Sequence, residues 1–258
     1  MKKNLLNLEI RPSSKKIVLE KIKKYISNPG GFHHIVSLNP ENLVIARKNV
    51  SFRKVVNTAQ IQVSDGFGVV LAGRILGYDL RPRLTGVDLM EEVVRVAAEG
   101  SSTVMLIGGK GNLAKELARC YNQQFPKATY VGIEGIKNIA KPTKEENKAI
   151  FSIVSSTKPR ILLVAFGSPF QELWLYKNRD KLKGIICIGV GGSFDFLSGK
   201  IRRAPLFVRR LGLEWLWRLI RQPWRVGRQL RLVEFMYLVL KQRLAMKANS
   251  LASKRNDH

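Results

Sequence analysis

Acidic residues are scarce in this 258-residue chain: 19 Asp+Glu face 45 Lys+Arg, a formal charge of +26. A field of that sign favours anionic partners (nucleic acid, phosphates or an anionic membrane surface) and says nothing about fold. Cysteine is scarcer still. Cys120 and Cys187 stand far apart, without CxxC spacing or a disulfide framework, as expected of buried thiols in a reducing compartment. His33, His34 and His258 are the only histidines, which disfavours a histidine metal site or a Ser-His-Asp triad. No Asp-x-Asp pair and no G-x-x-x-x-G-K-[ST] loop occurs, so neither a carboxylate clamp for a metal-bound nucleotide sugar nor a P-loop is expected. The longest apolar run near the C-terminus, Phe235 to Leu240, is far short of the roughly 18–20 residues of a spanning helix. Met1 to Glu20 carries charges but no apolar h-region, so no signal peptide is expected.

What is present is an alternating pattern. Short apolar runs at His34–Leu38, Ile61–Val63, Thr103–Ile107, Thr129–Ile133, Ile161–Phe166 and Gly184–Ile188 predict buried strands. Amphipathic stretches such as Leu89–Ala98, Leu113–Gln124 and Glu145–Ser155 predict helices between them. The expected fold is α/β: a Rossmann-like, mostly parallel sheet with helices on both faces. Ligands of such sheets bind beyond the carboxyl ends of the strands, where polar and glycine residues gather: Ser37-Leu38-Asn39-Pro40, Ser64-Asp65-Gly66, Gly108-Gly109, Glu134-Gly135, Gly167-Ser168-Pro169 and Gly189 to Gly192.

After Gly199 the alternation stops. Residues 200–258 hold 15 Lys+Arg against Glu214, Glu234 and Asp257, with Trp215, Trp217 and Trp224 among them. The expected organisation is an α/β core over residues 1–199, a basic helical appendage over 200–248 and a disordered tail over 249–258. Pro223 should interrupt the helix, leaving one segment before it and another running on to about Ala245. Tryptophan and arginine on amphipathic helices suit a membrane interface. Nucleic acid, or a hairpin packed on its own core with solvated arginines, are the alternatives.

Several motifs could carry chemistry. Gly109-Lys110-Gly111-Asn112-Leu113-Ala114 follows a predicted strand and opens a predicted helix, as a dinucleotide fingerprint does, with Glu134 where a ribose-binding acid would sit. A bare strand-to-helix turn fits it as well, and a helix N-terminus there would hold any diphosphate. Gly189-Val190-Gly191-Gly192-Ser193-Phe194-Asp195 is a second glycine-rich turn, in which Asp195 could meet a ribose or base edge, or simply cap the next helix. Asp65, before a flexible turn, suits a general base if burial raises its pKa; an Asp turn or cap is the bland alternative. Arg81-Pro82-Arg83 places two guanidinium groups on a constrained loop, suited to diphosphate oxygens or only to solvent. Without a metal clamp, a phosphate leaving group would depend on arginines and helix N-termini.

From Ser37 to Arg231 the sequence resembles the WecG/TagA/CpsF family of glycosyltransferases (glycosyltransferase family 26). The resemblance rests on Ser37-Leu38-Asn39-Pro40-Glu41, Asp65-Gly66, Arg83-Leu84-Thr85-Gly86 and Gly167-Ser168-Pro169-Phe170-Gln171-Glu172. It continues through Gly191-Gly192-Ser193-Phe194-Asp195, Arg202-Arg203-Ala204-Pro205 and Leu211-Gly212-Leu213-Glu214-Trp215 with Arg218-Leu219. Ser37 stands where Thr is usual, keeping the hydroxyl, and Phe170 stands where Lys is common, removing a cation. The resemblance implies an inverting, metal-independent transferase without a cofactor. It would move N-acetylmannosamine or its uronic acid from a UDP donor to a polyprenyl-diphosphate-linked sugar, in cell-surface polysaccharide or teichoic acid synthesis. It makes Asp65 the candidate base with Asn39 and Ser37 beside it, puts Arg83 near the diphosphate, and puts Gln171, Gly192 and Asp195 near the nucleotide; the strand-end glycines Gly108, Gly109, Gly167 and Gly191 are further candidates for the nucleotide site on their position alone. Arg218, Arg221, Arg225 and Arg228 could reach the leaving UDP while Trp215, Trp217 and Trp224 touch lipid. The expected location is cytoplasmic, peripheral on the inner face of the cell membrane, without a nucleic-acid partner; homo-oligomerisation stays open. A nucleic-acid-binding protein using the basic C-terminal helices and a Rossmann NAD-dependent enzyme are the competing readings.

Overall fold

The computed structural model describes residues 3–80, 83–223 and 226–256, side chains of Arg228 and residues 250–256 excepted. All six expected strands form one parallel sheet: β3 (His33–Leu38), β4 (Ile61–Ser64), β5 (Thr103–Gly108), β6 (Thr129–Ile133), β7 (Ile161–Ala165) and β8 (Ile186–Gly189), in the order β4-β3-β8-β7-β5-β6. A two-stranded antiparallel hairpin, β1 (Lys3–Leu5) and β2 (Leu8–Ile10), precedes it. The chain builds β3 and β4 toward one edge, crosses to β5 and β6 at the other, and returns through β7 and β8. The order therefore reverses in the middle of the sheet, where β3 adjoins β8. A crevice is expected at that point.

Strand alternation sends neighbouring side chains to opposite faces. Ile35, Ile61, Val63, Leu106, Leu163 and Ile188 point to one layer, formed with α1 (Lys15–Ser27), α5 (Gly86–Glu99), α6 (Leu113–Gln124) and α9 (Ser193–Leu197). Met105, Ile107, Leu162, Val164 and Cys187 point to the other, against α7 (Lys144–Thr157) and α8 (Phe170–Lys177). Val36 and Leu38 share that second face with a separate cluster made by the hairpin, α2 (Pro40–Lys48), α3 (Val50–Thr58) and α4 (Phe67–Leu76). His34, buried on β3, has its pKa pulled down to about 3 by desolvation; it packs as a neutral ring.

The C-terminal region holds α10 (Leu206–Arg210), α11 (Glu214–Arg221) and α12 (Val226–Asn256). The interruption falls next to Pro223, as its missing N–H requires. Helical backbone continues past Ala245 to Asn256, so 249–256, where a disordered tail was expected, is helix. The boundary at 199/200 does not separate two cores either. Phe235, Leu238 and Val239 of α12 are buried in the cluster of α2, α4 and the hairpin, and Gln242 bonds Leu6 N and Asn4 O of the hairpin turn at 2.9 and 2.8 Å. Lys48–Glu234, at 2.6 Å, adds an ion pair at the rim.

Candidate active site

A cavity of about 320 Å³ opens beyond the carboxyl ends of β4, β3, β8 and β7, at the strand-order reversal. Its floor is made by the chain leaving each strand. Ser37 is buried near the end of β3. Asn39 follows it as N-cap of α2, its side-chain oxygen accepting from Asn42 N at 2.9 Å. Asp65 follows β4, its N–H donating to Leu38 O at 2.8 Å.

The Asp65 carboxylate faces the N-terminus of α5, beside Gly86. Burial pushes its pKa up to about 6, with the Glu214 charge adding to burial and Arg83, Arg218 and the Gly86 N–H opposing it. A carboxylate so placed is ionised at neutral pH yet far more basic than a solvated one, the property a general base needs.

Cations stand over this floor. Arg83 donates through one terminal nitrogen to Glu214 at 2.6 Å and through the other to Arg209 O at 3.1 Å. The Nε atoms of Arg83 and Arg209 are buried without a hydrogen-bond partner among the described residues, donors that suit an anion. Arg218 of α11 stacks on Phe196, 4.7 Å from the ring centre. A Cβ on Gly192 would stand 2.1 Å from the Arg218 guanidinium, so glycine is what lets that arginine approach the loop after β8.

The loops after β7 and β8 are stitched together by Gln171. Its side-chain oxygen accepts from Gly167 N at 3.0 Å and Gly191 N at 3.2 Å, while its amide nitrogen donates to Glu172 at 2.8 Å. A Cβ on Gly189 would lie 2.5 Å from that nitrogen. Glu172 is buried, also accepts from Ser168 at 2.8 Å, and has its pKa raised by desolvation, with Glu41 adding repulsion. Glu41 is in turn paired with Arg231 of α12.

The chain as a whole has counterparts among known sequences. The model of the Glycosyl transferase WecG/TagA/CpsF family matches residues 3–249. The chain belongs to that family. This glycosyltransferase is 27% identical over 247 residues to the N-acetylglucosaminyldiphosphoundecaprenol N-acetyl-beta-D-mannosaminyltransferase of Staphylococcus aureus (strain MW2), covering 95% of each chain. It is 30% identical over 208 residues to the protein of that name from Bacillus subtilis (strain 168), covering 81% of this chain and 79% of the relative.

In this family member the cavity brings together Ser37, Asn39, Asp65, Arg83, Gly167, Gln171, Gly191, Gly192, Trp215 and Arg218. Asp195 stands just behind, its carboxylate close to Gly192. Gly108 and Gly109 do not line the cavity. β5 lies beyond β7 in the sheet, and the space over Gly108 and Gly109 is filled by Phe166, Leu113 and Phe194. Arg221 and Trp217 also lie away from it: the guanidinium stacks on the Trp217 ring at 5.1 Å, and the indole N–H donates to Arg202 O at 3.2 Å. Trp224, Arg225 and the Arg228 side chain lie outside the described residues, as does Arg81. Sequence reasoning gave no role to Thr85, Glu172, Arg203 or Glu214. All stand inside the quoted motif blocks, and an acid and an arginine in successive blocks of a basic tail were the available signal.

Proposed function

We propose that this glycosyltransferase moves an N-acetylmannosamine-type sugar from UDP to a polyprenyl-diphosphate-linked sugar, with inversion and without a metal. Asp65 carries the reading: a carboxylate of raised basicity on the floor of a cavity at the sheet's reversal, faced by Arg83 and Arg218. The acceptor hydroxyl gives its proton to Asp65 as its oxygen attacks the anomeric carbon. The bond from that carbon to the diphosphate breaks, and UDP leaves with the electron pair. One such in-line displacement inverts the anomeric centre. Arginines take the charge that develops on the leaving diphosphate, a task at which fixed donors in a partly dry site are effective.

The relatives' names, which pair an N-acetylmannosaminyl transfer with an N-acetylglucosaminyl-diphosphoundecaprenol acceptor, support the choice of sugar and acceptor. No helix among the described residues is long and apolar enough to cross a membrane. Leu206, Phe207, Leu211 and Ile220 are instead exposed on the short C-terminal helices and the turn between them, among arginines. That combination supports a peripheral seat on an anionic membrane, on the cytoplasmic face, beside the diphosphate of the acceptor lipid.

Thermal unfolding with UDP, UDP-N-acetylmannosamine or NAD, each with and without Mg²⁺, tests the ligand class. Binding to the folded form alone raises the midpoint. A rise with both UDP compounds that Mg²⁺ does not change is expected; a rise with NAD alone would overturn the proposal.

A further inference from the structure

Glu214 is the first residue of α11, where a carboxylate also favours the helix N-terminus. Its two oxygens are divided between two arginines from different parts of the chain. One accepts from Arg83 at 2.6 Å, the other from Arg203 Nε at 3.3 Å. Arg203 is shared again: it reaches Asp88 at 2.8 Å and the Thr85 hydroxyl at 3.0 Å, both in the first turn of α5 and its cap. All three side chains of the Arg83–Glu214–Arg203 bridge are less than a quarter exposed. Partial burial makes geometry and completeness of pairing matter far more than in a surface ion pair.

The bridge spans the helices and the base. Arg83 precedes α5, whose N-terminal Gly86 lies beside the Asp65 carboxylate. Both terminal nitrogens of Arg83 are committed to α10 and α11, through Arg209 O and Glu214. The charged groups that face Asp65 are Arg83 from the loop before α5, and Glu214 and Arg218 from α11. We propose that Glu214 is a positioning residue: by gripping Arg83 and Arg203 on its two oxygens, it seats the C-terminal helices over the cavity and keeps the Arg83 guanidinium from pairing with Asp65. The inference rests on the reading of Asp65 as the base. With Glu214 neutralised, Arg83 turns to Asp65, and the base is weakened.

Two measurements test it. The first needs no substrate: unfolding midpoints of the wild type, Asp65→Asn, Glu214→Gln and the double variant at pH 5 and pH 8. At pH 8 the gain from Asp65→Asn should fall to about half or less in the Glu214→Gln background, because a freed Arg83 then stabilises ionised Asp65. An equal gain with and without Glu214 would overturn the proposal. The second is the pH dependence of kcat for transfer from UDP-N-acetylmannosamine to a polyprenyl-diphosphate-linked N-acetylglucosamine. Glu214→Gln should lower kcat by about tenfold or more and move the acid-side midpoint down by roughly half a pH unit or more. Glu214→Asp keeps the charge but not the reach: it should hold the midpoint near the wild-type value while kcat drops. An unchanged midpoint in folded Glu214→Gln contradicts the proposal; if that variant does not fold, wild-type kcat in Glu214→Asp contradicts it. A wild type inactive with these substrates overturns the functional reading instead, and the unfolding comparison still decides the role of Glu214.

Discussion

At the scale of single residues, Asp65, the proposed base, costs the fold stability when it is ionised. Its native pKa, near 6, lies above the ordinary value of 3.8. Between those two values the unfolded chain has lost the proton and the native protein keeps it. The stabilisation from protonated Asp65 is thus complete below about pH 4 and is lost as pH rises through about 6, a change of up to about 3 kcal/mol. Asp65→Asn, which keeps the size of the side chain and removes its charge, should therefore melt several degrees above the wild type at pH 8, with the gain shrinking toward pH 5. A variant that melts lower at both pH values would show that the ionised carboxylate stabilises the fold. The residues around Asp65 were legible because they lie at strand ends: Ser37 is the last polar residue of its run, Asn39 and Gly167 follow theirs, and such ends converge in a parallel sheet. Gly108 and Gly109 follow the same rule and yet miss the cavity. A G-x-G-x-x-A pattern describes a strand, a turn and a helix, but it does not say which strands become neighbours.

At the scale of elements, the six strands could be read as unbroken apolar runs because both faces of a parallel sheet are covered. The way α12 docks could not. That helix carries two apolar stripes, one buried (Phe235, Leu238, Val239) and one exposed (Leu230, Val233, Tyr237, Leu240), and their periodicities blur each other. The charge excess of the segment drew attention to lipid and away from the core. Its packing makes it part of the fold, so Phe235→Ala should cost about 3–5 kcal/mol by the large-to-small rule for a buried aromatic. Chemical denaturation would measure this; a loss under about 1 kcal/mol would mean that α12 can leave without disturbing the core. Removing everything after Gly199 would strip this cover from α2, α4 and the hairpin, so a truncated chain tests folding as much as catalysis. The β1–β2 hairpin gave only two three-residue runs, too short for periodicity to register.

At the scale of the molecule, charge and exposed apolar surface fall on the same C-terminal segment, which is also the one that roofs the cavity. On the proposed function, a soluble donor and a lipid-bound acceptor would meet at one edge of the protein. Binding to vesicles containing anionic phospholipid should weaken as salt is raised, because surface attraction is screened within about a Debye length. Phe207→Ser with Ile220→Ser, on side chains 65% and 67% exposed, should reduce binding by about tenfold or more, since each apolar side chain buried in lipid is worth roughly 1.5–3 kcal/mol. Equal binding to neutral and anionic vesicles at all salt concentrations would contradict the electrostatic part of this seat.

The proposed reaction is tested most sharply by the rate of sugar transfer from UDP-N-acetylmannosamine to a polyprenyl-diphosphate-linked N-acetylglucosamine, followed from pH 5 to pH 8 for the wild type and Asp65→Asn, with divalent cations chelated. Wild-type transfer should rise with pH and level off above about pH 6, and the Asp65→Asn rate should be lower by about 10²–10⁴-fold, the usual weight of a general base. Folded Asp65→Asn with wild-type transfer, or a wild type that works only when a divalent cation is restored, would contradict it.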